Sequence, residues 1–334
     1  MSGQFRRFFG ASLTAVAVAF SALAVEAADF NMKVGIIARN DPLEHYITRF
    51  KEIVEDQSDG RIDVTLYPGA QLGGESTLVE GVQIGTIEMI AVPGVYMKGL
   101  APRFQIADAP GLFRDIDHAN ETLQDPEFRD VYLNLAEDVG VKGISVWVYD
   151  TTSFATVEPV NELSDLGGRK MRVLASDTEM TIMEDLGAVP VSMPFTDVVP
   201  SLQQNTIDGV RTSPIMMSAF KTQTAAKYLT ATDDGTIAIA GLVNSAFFDR
   251  LPEDLKQVVL EAGVEAEVEM RDFVKKRQAA AQSAWIEAGG EVGALSDRDR
   301  EKLLEINRNA SEQTLAIGNL KEFFELLKTV SQSH

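Results

Sequence analysis

The apolar positions along this chain change period in a regular order. Residues 31–37 (NMKVGII) form a short apolar run of strand length. Asp41-Pro42-Leu43-Glu44 then signals a helix start: an aspartate able to cap, a proline at the first helical position, and a glutamate three residues after the cap. Leu43, Ile47, Phe50 and Val54 recur at helical spacing behind it, and Gly60 ends the run. Ile62, Val64 and Leu66 alternate with polar residues as in a half-buried strand. A helix is expected over 77–83 and a strand over 86–92. This strand–helix–strand–helix–strand order predicts an α/β unit with a largely parallel sheet.

The pattern continues with a helix over 126–137 and a strong strand over 141–148 (VKGISVWV). A Thr-rich segment leads into a second set: strand 170–174, helix 178–186, strand 189–191, helix 196–205 and strand 207–210. Residues 237–244 read as a strand leading back. From 252 to 288 the pattern is helical with few interruptions. At about 1.5 Å per residue such a helix is roughly 50 Å long, enough to run across two units. Its a/d seam carries Ala, Gln and Glu, which argues against a coiled coil. Helices near 298–314 and 320–330 close the chain. The length of 334 residues is itself that of two domains of about 100–200 residues each.

Composition adds limits. With 45% hydrophobic and 24% charged residues the chain is an ordinary globular one. Arg6 and Arg7, an apolar stretch over 8–25 and Val25-Glu26-Ala27 read as a secretory signal peptide, residues 1–27, with a mature chain starting near Ala28 in the periplasm. No later apolar run approaches the roughly 20 residues a membrane span needs, so no direct membrane insertion is expected. The absence of cysteine excludes a cysteine-linked lipid anchor, thiol catalysis and cysteine metal sites. The net charge of −20, which loss of Arg6, Arg7 and Glu26 makes one unit more negative, repels nucleic acid and anionic surfaces. An anionic ligand would need a local cation in a cleft.

Signals for catalysis are weak. His45, His118 and His334 have no second histidine or carboxylate at metal-ligand spacing, and no metal or other cofactor is expected. There is no phosphate loop, dinucleotide fingerprint or nucleophile elbow. Asp233-Asp234 reads as an exposed turn rather than an acid–base pair. No enzyme activity is expected. Binding signals are better. The Gly-rich turn 68–75 (PGAQLGGE) could bring backbone N–H groups and Glu75 to a cleft. In 168–173 (GRKMRV), strand alternation sends Met171 and Val173 one way and Lys170 and Arg172 the other. Alternation leaves open whether Arg172 is solvated or faces a cleft; in a cleft its planar fork suits a carboxylate.

The run 68–85 (PGAQLGGESTLVEGVQIG), then 109–114 (APGLFR), 168–173, 186–197 (LGAVPVSMPFTD), Ile207-Asp208-Gly209 and Lys227-Tyr228-Leu229, in this order, resembles the solute-binding proteins of tripartite ATP-independent periplasmic (TRAP) transporters. The resemblance covers essentially the whole mature chain. It implies a two-domain α/β periplasmic binding protein fold with a cleft between the domains and a long helix spanning both. Domain I would hold residues 28–150 plus about 240–275, and domain II residues 151–239 plus about 276–334. It further implies a monomer that captures a small organic acid anion and delivers it to a sodium-driven membrane permease. Arg172 would pair with the ligand carboxylate and Phe195 would pack on the ligand. Thr212 and Ser213 would supply polar contacts, with Trp147, Tyr149 and Thr152 at the domain crossover. Asn40, Glu75 and the 92–96 loop with Tyr96 would form the first-domain side.

The chain also departs from the family pattern. Many members carry a second arginine after the crossover strand, where residues 149–154 here read YDTTSF. Arg39 and Arg211 are candidates to replace it, though each otherwise reads as a surface residue. Val199 stands where the family usually has Tyr. The ligand stays open among sugar acids, ectoine-like zwitterions and 2-oxo acids. Two other functions remain: a sensor with the same fold that presents its solute to a membrane receptor, and, more remotely, a secreted enzyme.

Overall fold

A computed structural model describes residues 28–334; the expected signal peptide 1–27 lies outside the described residues. In chain order the elements are β1 (Phe30–Gly35), α1 (Pro42–Gln57), β2 (Ile62–Tyr67), α2 (Glu75–Ile84) and β3 (Met89–Pro93). Two 3-10 segments, Gly94–Gly99 and Pro102–Asp108, follow, then α3 (Ile116–Leu123), α4 (Pro126–Leu133), β4 (Val141–Thr151) and β5 (Ser153–Thr156). Next come β6 (Lys170–Val173), α5 (Asp177–Asp185), β7 (Val189–Ser192), α6 (Val198–Gln203), β8 (Gly209–Thr212), α7 (Pro214–Ala219) and β9 (Tyr228–Ala231). The chain ends with β10 (Thr236–Asn244), α8 (Ser245–Arg250), α9 (Glu253–Glu287), β11 (Glu291–Ala294), α10 (Asp297–Leu315) and α11 (Lys321–Ser333).

The strands form two sheets, ordered β2-β1-β3-β10-β4 and β11-β9-β5-β8-β6-β7. In the first, β1 runs parallel to β2 and β3, as the strand–helix alternation requires. β10 enters this sheet from late in the chain and lies antiparallel between β3 and β4, so the sheet is mixed rather than nearly all parallel. In the second, β6 is parallel to β7 and β8, while β5 is antiparallel to β8 and β9. The chain passes from one sheet to the other through a single residue, Thr152, between β4 and β5. It returns over 232–235, between β9 and β10.

The N-terminus of α1 is built as its sequence signals: the Asp41 side chain accepts from the Glu44 N–H at 3.1 Å. The Glu44 carboxylate accepts in return from Asn40 N–H, one residue before the cap. The long helix is present as α9, 35 residues that pack on α1 and β4 of the first part and on α7 and β11 of the second. Gly263 sits in its middle, where glycine costs a helix about 1 kcal/mol. A Cβ there would come within 2.7 Å of the Ile144 carbonyl of β4, so this glycine allows the close approach of helix and sheet. Several elements differ from expectation. The helix beginning at Pro126 ends at Leu133, and α3, α7, α8, β5, β9 and β11 were not expected. The three extra strands have four residues each, too short for a period to show.

Candidate functional site

Strand β6 places the site. Its alternation sends Met171 and Val173 into an apolar cluster with Ile182, Leu186 and Leu303, while Lys170 is exposed. Arg172, on the other face, is only 1% exposed and points to the seam between the two sheets. There its Nε and Nη2 donate to the Met193 carbonyl at 3.1 Å, and Nη2 donates to the Tyr96 hydroxyl at 2.8 Å. The guanidinium carbon lies 5.0 Å from the centroid of the Phe195 ring, in cation–π range. Phe195 is held edge-on by Phe220 at 4.9 Å.

Across the seam, α2 starts at Glu75, whose buried carboxylate accepts from the Phe195 N–H at 3.2 and 3.3 Å. Burial raises the Tyr96 hydroxyl above its ordinary range; nearby Arg172 offsets this in part, and Glu75 adds to it. Tyr96 therefore stays a neutral hydroxyl. One group is left over: among the described residues, Arg172 Nη1 is buried without a hydrogen-bond partner, and no carboxylate lies within ion-pair distance of this guanidinium. A buried charged donor without a partner is costly, and a carboxylate oxygen is the acceptor that matches it best.

These side chains line one cavity, closed by Ile37, Pro93, Tyr149, Leu174, Thr212, Met216, Ile237 and Ile239. It has mostly apolar walls, one cation, a few hydroxyls and one carboxylate, that of Glu75, both of whose oxygens take the Phe195 N–H; this suits a small acid with a largely apolar or hydroxylated body. Its free volume is about 20 Å³, the space of a single water molecule, against the roughly 300 Å³ or more of ordinary ligand pockets. Among the described residues no cluster of three or more His, Asp or Glu is placed to hold a metal, and no helix is long and apolar enough to cross a membrane.

Of the residues that the sequence singles out, Glu75, Tyr96, Tyr149, Arg172, Phe195 and Thr212 come together here. Four others lie elsewhere. Trp147 packs on Tyr46 at 5.6 Å and lines a separate cavity between α3 and α9. Thr152 is the crossover residue, and its hydroxyl donates to Asp234 at 3.2 Å. Ser213 caps α7, accepting from Met216 N–H at 3.2 Å and donating to the buried Asp150. Asn40 is exposed with φ 55°, beside another cavity.

Two readings are corrected. Asp234 is not an exposed turn residue, and Arg211 is neither at the surface nor in the Arg172 cavity. Both are fully buried and paired at 2.6 Å, with Glu179 as the second partner of Arg211. Burial pushes the Asp234 carboxyl up, but the adjacent Arg211 more than offsets it and holds Asp234 below its usual range. Arg211 already holds two carboxylates through Nη1 and Nη2, and its remaining donor, Nε, lies outside the Arg172 cavity. The apolar lining at Ile37, Leu174, Met216, Ile237 and Ile239 escaped sequence reading because an apolar residue looks the same whether it faces core or cleft.

Comparisons with known proteins place this chain in a family. The model described as "Bacterial extracellular solute-binding protein, family 7" matches residues 34–316. The C4-dicarboxylate-binding periplasmic protein DctP of Rhodobacter capsulatus is 28% identical over 287 residues, covering 85% of this chain and 86% of that protein. The 2,3-diketo-L-gulonate-binding periplasmic protein YiaO of Escherichia coli K12 matches with the same identity and coverage. The sugar acid binding protein DctPAm of Advenella mimigardefordensis, solved with galactonate, superposes with a TM-score of 0.86 at 25% identity, over 92% of this chain and 99% of that one. A TRAP periplasmic solute-binding protein of Desulfovibrio salexigens with orotic acid gives the same TM-score at 23% identity, covering 91% of this chain and 99% of that one, a likeness of fold.

Proposed function

The chain belongs to bacterial extracellular solute-binding protein family 7, the DctP family of TRAP periplasmic solute-binding proteins, which are not enzymes, and from that premise we propose that it captures a small organic acid anion at Arg172 and hands it to a sodium-driven TRAP permease. The observation that carries this reading is the buried Arg172 fork, anchored through Nε and Nη2 and left with Nη1 unpartnered beside Phe195. A desolvated guanidinium held in this way binds a carboxylate far more strongly than a surface cation does. It also lets a chain of net charge −20 hold an anion.

The relatives' ligands, C4-dicarboxylates, 2,3-diketo-L-gulonate and galactonate, are all organic acids, in line with this chemistry. The cavity's small free volume fits a cleft that opens to load and closes over its solute. The two crossover segments at Thr152 and 232–235 are natural hinges between a domain I of residues 28–150 plus about 240–275 and a domain II of 151–239 plus about 276–334, with α11 packed back on α3 and α4 of the first part. We take the protein to act as a monomer, exported with cleavage of residues 1–27.

The test is the melting temperature of the mature chain, stripped of carried solute by unfolding and refolding, against a panel of mono- and dicarboxylates and sugar acids. A ligand that binds only the folded state adds about 2.7 kcal/mol at a hundredfold excess over its dissociation constant. A shift confined to one chemical class in the wild type and absent in Arg172→Ala is the expected result. A hit that shifts both proteins equally moves the site elsewhere, and no hit at all removes the organic acid from the proposal.

A further inference from the structure

Beside the Arg172 cavity, and sharing no lining residue with it, lies a second cavity of about 270 Å³. Arg39 and Asn40, from the loop after β1, form one wall. Ile215, Ser218 and Ala219 of α7 form another, and the C-terminal half of α9 supplies Arg277 and three alanines. No carboxylate lines it. Among the described residues neither Arg39 nor Arg277 has an acidic side chain within ion-pair distance, although Asp and Glu outnumber Lys and Arg by 50 to 30 in this chain.

Both arginines are solvent-exposed, and each lies against a neighbouring segment. Arg277 donates to the Asn40 carbonyl and lies 6.0 Å from the Phe273 ring, which itself stacks on His45 at 4.0 Å. Arg39 lies across the turn at Gly69, whose φ of +71° leaves no Cβ in its path. The Ser218 hydroxyl is buried in the same region and has no hydrogen-bond partner among the described residues. Two like charges in one cavity, with the Asn40 amide and an unused hydroxyl beside them and only alanine and isoleucine for the rest of the wall, suit an anion.

We propose that this cavity is a second binding site, distinct from the solute cavity, for a small oxyanion such as a phosphate or a carboxylate-bearing acid. Two guanidinium forks suit the several oxygens of either group, and Ser218 would donate a further hydrogen bond. The walls come from both sides of the seam: Arg39 and Asn40 follow a strand of the first sheet, and α7 follows a strand of the second. An anion seated there bridges the two parts and favours their closed arrangement, and it therefore couples positively to solute binding at Arg172.

The experiment uses the mature chain. Wild type, Arg39→Gln/Arg277→Gln and Arg172→Lys are titrated with inorganic phosphate and, separately, with citrate. Sodium chloride holds the ionic strength constant, and melting temperature and heat of binding are recorded. A control variant, Arg298→Gln/Lys302→Gln, removes two exposed cations from α10 and matches the change in net charge. The expected result is a saturable response to at least one of the two anions in wild type, control and Arg172→Lys, weakened about tenfold or more in Arg39→Gln/Arg277→Gln. A response to phosphate alone assigns the site to phosphate groups, and a response to citrate alone assigns it to carboxylates. The proposal is overturned by either of two results. One is a wild-type response no larger than that to chloride. The other is a response that survives in Arg39→Gln/Arg277→Gln, including one lost only in Arg172→Lys, which would put the anion in the solute cavity.

Discussion

Glu75 and Phe195 are joined across the seam: the buried carboxylate at the start of α2 takes the Phe195 backbone N–H at 3.2 and 3.3 Å. The same phenylalanine packs under the Arg172 guanidinium. One hydrogen bond thus ties the first part of the molecule to the residue that positions the cation of the second. A bond of this kind, to a charged acceptor, contributes about 1.5–3 kcal/mol. Glu75→Ala is expected to weaken solute binding by about ten- to a hundredfold. Glu75→Gln, whose amide oxygen still accepts the N–H, is expected to cost about tenfold or less. Calorimetric titration with the hit from the acid panel reads both, and equal losses in the two variants would show that the charge, not the bond, matters.

Arg172 itself is expected to tolerate no cationic substitute. Lysine supplies charge but not a fork, so it cannot hold Met193 and Tyr96 and still offer a free N–H. Arg172→Lys should lose about 2 kcal/mol or more of binding, roughly thirtyfold or more, with the fold kept. Retained affinity in Arg172→Lys would mean that the solute carboxylate is not gripped by this fork.

The buried group Arg211–Asp234 makes a prediction about stability. Asp234 takes Arg211 at 2.6 Å, Asn307 at 2.8 Å and the crossover hydroxyl of Thr152, so it ties β8, α10 and both crossover segments together. Arg211 keeps Glu179 as a partner, but removing Asp234 strands three buried donors that bonded to a charged acceptor, at a cost of about 3–5 kcal/mol. Asp234→Ala should lose that much in urea denaturation. Asp233→Asn, one residue away and exposed, should stay within about 0.5 kcal/mol. Similar losses at both positions would make the charge network incidental.

These residues also show what the sequence made legible. The alternation in GRKMRV placed Arg172 opposite Met171 and Val173, and the family resemblance chose between solvent and cleft. Period alone could not, because a strand face looks the same in both settings. The α1 cap, the long helix and the strand–helix order were legible because each is local. Asp234 was misread because an acid in a turn normally meets water, as Asp233 does. Only the return of β8 and α10 onto that turn brings Arg211 and Asn307 to Asp234. Trp147 was drawn to the cleft by its closeness in sequence to Tyr149, yet the two line different cavities.

Four buried carboxyls make stability depend on pH in a fixed direction. Burial raises Asp41 to about 6, Asp150 to about 7, Glu267 to about 7 despite its Arg129 partner, and Asp108 to about 8, where among the described residues its one side-chain hydrogen bond is from the Ala238 N–H at 2.6 Å. In the unfolded chain such groups titrate near pH 4. Below that pH both states hold these protons and the groups contribute no slope. Between about pH 4 and 8 the unfolded chain releases them while the folded chain keeps them, so the folded state loses stability as pH rises. The urea midpoint is therefore expected to be higher at pH 5 than at pH 8. Repulsion within a chain of net charge −20 acts in the same direction but is screened by salt, so the buried share is the part that persists in about 1 M sodium chloride. Asp108→Asn keeps a carbonyl oxygen for the Ala238 N–H and carries no proton to release, so it should remove up to one proton's worth of slope, about 1.4 kcal/mol per pH unit. A high-salt slope that is flat, or unchanged in Asp108→Asn, would mean that Asp108 is ionised in the folded protein and that its burial is relieved by a partner or by water.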